Sequence, residues 1–148
     1  MASYINNAKA DAYFATRYPK DEWDAATADE KTATLATATR LIDQLNFAGE
    51  KTDSNQENEF PRNTLLTIPV AIENACCEIA YALLEGHNVE YDAENVNIIK
   101  SKFGDVATEK DKDAPLMHLI HNIPSSQAWN YLRPYLLNTQ TLKIERTS

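Results

Sequence analysis

The sequence predicts a mainly α-helical fold: a small bundle of about four helices with a β-hairpin arm and an extended C-terminal tail. Three observations lead there. Cap residues (Asn, Thr, Ser) stand just before stretches whose apolar residues recur every three or four positions. Glycine is rare, at three in 148 residues, and two of the three fall where such a stretch stops. A chain of this length also buries roughly 68–70% of its unfolded surface, enough for a true core without staples.

The elements follow in order. Asn6 or Asn7 caps a first helix running to about Tyr18, which Pro19 stops. Lys20 to Asp24 is a charged turn around Trp23, a lone aromatic that either lids the core or anchors a neighbour. Thr27 and Glu30 form a capping box. The helix they open reaches about Phe47, with Leu35, Ala38, Ile42 and Leu45 on one face and Gly49 as a stop. Residues 50–63 are polar and acidic without periodicity, a functional or mobile connection ending in Phe60-Pro61-Arg62. Ile68-Pro69 starts the central core helix, whose Ile72, Ala75, Cys76, Ile79, Ala80, Leu83 and Leu84 make a wide apolar face before Gly86. Residues 96–108 read as a hairpin with Gly104-Asp105 at the turn. Ser125 or Ser126 caps a last helix carrying Trp129, Leu132 and Leu136, and Pro134 kinks or ends it. The domain division is therefore 1–136, with the hairpin inserted near 96–108, and a tail over 137–148.

Composition narrows the function. The net charge is −8, from 14 basic and 22 acidic residues. Residues 1–50 carry −3 (five basic, eight acidic), 51–100 carry −6 (three and nine) and 101–148 carry +1 (six and five). Phosphate grips need the opposite balance. No run approaches the ~20 apolar residues of a membrane helix, and the first residues lack a basic-then-apolar signal pattern, so the chain is expected to be made and kept in the cytoplasm or carried out inside a larger assembly. Cys76 and Cys77 are adjacent and read as two small buried hydrophobes. His118 and His121 could share a helix face, but no Cys cluster or HExxH pattern accompanies them, so no metal is expected. No catalytic motif or cofactor-binding pattern stands out, and the chain is not expected to be an enzyme or to need a cofactor.

Tyr13, Trp23, Lys31, Leu41-Ile42-Asp43, Gly49, Gln56, Phe60-Pro61-Arg62 and Ile68-Pro69 followed by an Ala-rich helix with Glu78 occur in an order and spacing that resembles the tailed-phage head–tail adaptor (head-completion, connector) family. Some members of it carry a DnaT-like single-stranded-DNA-binding label. The resemblance covers roughly residues 4–86, with Phe60 standing where the family commonly has Trp. It implies a structural virion protein of the neck, a homo-oligomeric ring (a dodecamer, by matching the portal) that joins portal to stopper or tail and extends the DNA channel. It further implies that Tyr13, Ile42, Ile72 and Ile79 are core. Trp23, Phe60, Pro61 and Arg62 would lie at subunit contacts, and Leu142, Lys143, Ile144 and Arg146 on a portal-docking arm. DNA would pass without specific binding, a role that acidic walls suit. The alternative is a single-stranded-DNA-binding replication accessory protein. It rests on the DnaT-like label and on Tyr131, Arg133 and Tyr135, which hint at a stacking platform with a cation.

Overall fold

The computed structural model describes residues 2–87 and 117–137. Within them lie six α-helices: α1 (Asn7–Ala15), α2 (Asp21–Ala25), α3 (Ala28–Asp43), α4 (Val70–Leu84), α5 (Met117–Ile120) and α6 (Ser126–Leu132), the last continued by a 3-10 turn at Arg133–Tyr135. The fold is mainly helical, as the periodicity requires. No strand occurs among the described residues, which hold two isolated antiparallel bridges, Phe47 to Leu136 and Lys51 to Arg62. The hairpin expected at 96–108 lies outside the described residues. So do Leu142, Lys143, Ile144 and Arg146.

The caps act where the sequence places them. The Asn6 side chain accepts from the Lys9 amide, Thr27 from that of Glu30, and Ser125 from that of Ala128. Each satisfies one orphan donor of a helix start, worth about 1 kcal/mol. At the end of α4, Gly86 takes φ +98°. Its amide reaches the Leu83 carbonyl while the His87 amide reaches that of Ala82, so two terminal carbonyls are satisfied by one reversal.

Three boundaries differ from expectation. α1 stops at Ala15, where the Thr16 and Arg17 amides turn to the Tyr13 and Phe14 carbonyls in tighter bonds three residues back. The charged turn around Trp23 is a helix of its own, α2, with three carboxylates at its N-terminal end, where they suit the helix dipole. α3 ends at Asp43 rather than Phe47, since Asn46 and Ala48 leave to bond the chain after α6: Leu137 N to Asn46 O (3.0 Å) and Ala48 N to Tyr135 O (2.9 Å).

α4 is the axis. Residues 75–82 are buried without interruption, so this helix is enclosed on every side. α1, α2, α3 and α6 all pack on it. Trp23, Phe14, Leu35, Ile42, Ile72, Ile79, Ile123 and Leu132 fill the core around it. Ala38 and Ala75 let α3 approach closely, and Thr39 Oγ1 lies 3.6 Å from Cys76 Sγ across the seam. Burial pushes the Cys76 thiol up to about 12 and raises that of Cys77 as well, so neither is a thiolate at neutral pH.

The 50–63 connection is not a slack loop. Arg62, only 7% exposed, gathers it. Its guanidinium donates to the carbonyls of Ala48 (3.2 Å), Gly49 (2.6 Å), Phe47 (3.4 Å) and Glu59 (3.2 Å), and to the Glu59 carboxylate (2.8 Å). Gln56 closes the far turn through the carbonyls of Asn58 and Pro61. A side chain at Gly49 would collide with Asn63 Oδ1 at 1.8 Å, and its φ of +81° already favours glycine.

Candidate functional site

Cations and aromatic rings are the groups that hold nucleic acid, so their placement decides what each surface can do. Most described cations are occupied. Lys9 pairs with Glu73 (3.0 Å), Arg17 with Glu78 (2.8 Å), Lys20 with Asp24 (3.8 Å), Lys31 with Asp11 (3.2 Å), Lys51 with Glu59 (3.7 Å) and Arg62 also with Glu59. Among the described Lys and Arg side chains, Arg40 and Arg133 have no carboxylate within 4 Å.

The aromatic rings divide the same way. Trp23 is 1% exposed, stacked on Phe14 at 4.4 Å, with its indole N–H on Asp11 (2.8 Å) and the Lys31 ammonium over its face. Phe60 is buried among Tyr4, Phe47 and Tyr135, all edge-on. Trp23, Phe60 and Arg62 are therefore spent inside this chain, with Pro61 half-buried beside them.

Tyr131, Arg133 and Tyr135 do not form one platform. Tyr131 and Tyr135 are half-buried against the core, Tyr135 edge-on to Phe60 at 5.6 Å, while Arg133 stands in solvent. Arg133 instead shares the flank of α6 with Trp129, four residues earlier. Trp129 is half-buried, and the exposed His121 ring lies parallel to it, 10° between planes and 5.2 Å between centroids. Ser126 and Asn130 are exposed beside them. Stacked rings with an outward face, a free guanidinium and neutral hydrogen-bonding groups thus meet on one surface. No group of three His, Cys, Asp or Glu among the described residues is placed to hold a metal ion.

The chain order of charge sharpens this. None of the 22 acidic residues falls within 114–144, the stretch that carries α5, α6 and the turn after them. Thirds of the chain average this run with the acidic residues before 114, which is why the charge profile by thirds hides it. The acid-free run itself stands in the sequence. The His121–Trp129 pairing does not, because it needs the reversal at Asn122 (φ +64°) and Ile123 that folds α5 back beside α6.

The described residues thus form a helical module whose α5–α6 segment, a stretch of chain without acidic residues, presents the His121–Trp129 stack and Arg133. The sequence model of a family described as "Putative DnaT-like ssDNA binding protein" matches residues 1–147, and the chain belongs to this family. No curated protein and no solved structure matches it.

This corrects the head–tail adaptor reading. The match over residues 1–147 is to the DnaT-like family, and nothing places the chain among virion connectors, so the ring and its portal and tail partners fall with it. The physical reason is visible in the residues that carried the resemblance. Tyr13 donates to Glu78, Lys31 bonds Asp11, Asp43 receives the Tyr4 hydroxyl, Gln56 and Arg62 tie the loop, and Trp23 fills the core. They specify a scaffold and say nothing of a partner.

Proposed function

We propose that this chain binds single-stranded DNA, stacking a base on the outer face of His121 against the Trp129 ring and taking a phosphate on Arg133. Membership of the DnaT-like family over residues 1–147 carries the proposal. The acid-free α5–α6 face supports it and supplies the residues. Single strands expose ring faces that duplex DNA keeps stacked, so a short aromatic pile selects them by shape alone. Base stacking on an aromatic side chain is worth about 1–3 kcal/mol per base, and a guanidinium adds a salt-sensitive phosphate contact. The module acts by holding a strand rather than by chemistry on it.

Fluorescence anisotropy with a labelled oligothymidylate of about twenty nucleotides, longer than the roughly 4–16 nucleotides that one single-strand-binding OB fold covers, tests this. Wild type should bind at low salt and weaken as salt rises. Trp129→Ala should lower affinity by about fivefold or more. Arg133→Ala should flatten the plot of log affinity against log salt by about 0.7. Absence of binding at low salt removes the proposal.

A further inference from the structure

Tyr18 is 95% exposed. Every other described aromatic ring of Phe, Tyr or Trp is buried or half-buried in this chain. An exposed tyrosine ring gains nothing for the fold, yet the turn that carries it is held firmly. Arg17, the residue before it, is fastened to Glu78 through Nε (2.8 Å) and Nη2 (2.9 Å), and its guanidinium sits 4.1 Å above the Tyr81 ring. Its Nη1 also donates to the Pro19 carbonyl, so the clamp spans Tyr18 from both sides. One turn earlier, Tyr13 donates to the same Glu78 and is flanked by Tyr131 of α6. The α1–α2 turn and α6 are therefore neighbours on α4.

We infer that Tyr18 is a second stacking contact for single-stranded DNA, met by a strand that crosses the outer face of α6 from His121 and Trp129 toward the α1–α2 turn. The inference rests on the proposed DNA-binding reading. A ring on a fixed turn, with two torsions of its own, loses little freedom when a base covers it. Phosphate attraction plays a small part here: Lys20 is shared with Asp24, and Asp21 and Glu22 follow. The contact is made by the ring, which sets a signature distinct from that of Arg133.

The test is the same anisotropy titration run on Tyr18→Ala and Tyr18→Phe, with thermal melting as the folding control. Tyr18→Ala should bind about fivefold more weakly with an unchanged salt slope and melting temperature, and Tyr18→Phe should bind like wild type. An oligonucleotide carrying 5-iodouracil should crosslink to the peptide holding Tyr18. Three outcomes overturn the inference: wild-type affinity in Tyr18→Ala, equal losses in both variants, or no crosslink at this peptide. If any of them occurs while Trp129→Ala is still weakened, the DNA-binding reading stands without Tyr18. If wild type binds no oligonucleotide, both fall.

Discussion

The two tryptophans sit in opposite settings to those their sequence neighbours suggest. Trp23 stands between Glu22 and Asp24 and is a core residue; Trp129 stands between Ala128 and Asn130 and keeps an edge in water. The difference lies in what the short helix around each one faces. α2 turns its single aromatic side chain inward onto Phe14, leaving its carboxylates outside. α6 spends Ala128 and Leu132 on the core, which puts Trp129 on the flank. Charge next to an aromatic residue thus says little about burial when the helix is one turn long.

The comparison breaks most easily through stability. Trp23→Ala should cost about 3–5 kcal/mol, the range for emptying a large aromatic site, and lower the melting temperature by about 10 °C for a chain of this size. Trp129→Ala should cost well under half of that in the same melting experiment. Equal losses would show that α6 is as much a part of the core as α2.

Arg62 extends the comparison to a cation. Arg62→Ala strands three backbone carbonyls of the 47–49 segment and should cost about 2–3 kcal/mol by chemical denaturation. Arg62→Lys should recover little of it, because an ammonium cannot span the same fork of acceptors. A loss under half a kcal/mol would mean that water replaces the guanidinium there.

Fluorescence sharpens the contrast further. Trp23 should emit at short wavelength and resist a soluble quencher, while Trp129 should emit further to the red and be quenched. Trp129→Phe should remove the quenchable part alone.

The smallest effect is a titration. The indole N–H of Trp23, with help from Lys31, holds the Asp11 carboxyl below its ordinary range. Its contribution is thus present above the ordinary aspartate value and is lost as pH falls through the lowered one. Asp43 has the opposite sign. Burial raises its carboxyl, so its contribution is fullest at low pH and declines as pH rises from the ordinary value through the raised one. Asp11→Asn and Asp43→Asn should therefore tilt the acid limb of the stability profile in opposite directions.

The helices were legible because their causes are local. Asn6, Thr27, Ser125 and Gly86 act on residues within a turn of themselves, and the apolar spacing of α4 marks the central helix directly. The Arg62 clasp was not legible, since its acceptors are bare carbonyls brought close by folding. The face on α6 was half legible. Its freedom from acid stands in the sequence, whereas Tyr131, Arg133 and Tyr135 looked like one group until the helix separated them. The connector reading failed for a related reason: residues that build a scaffold recur wherever that scaffold is used.

The charge partition has a kinetic consequence. Residues 114–144 hold Arg133 and Lys143 without an acid, so the remainder of the chain carries −10 of the net −8. A polyanion approaching the chain meets a net negative charge overall, with the positive balance confined to this one run of sequence. Added salt would then act twice with opposite effect, quickening arrival by screening the repulsive side and hastening departure by loosening the phosphate contact. On the proposed DNA-binding reading, the expected outcome is slow arrival at a strand in dilute buffer and ready exchange between strands at higher ionic strength.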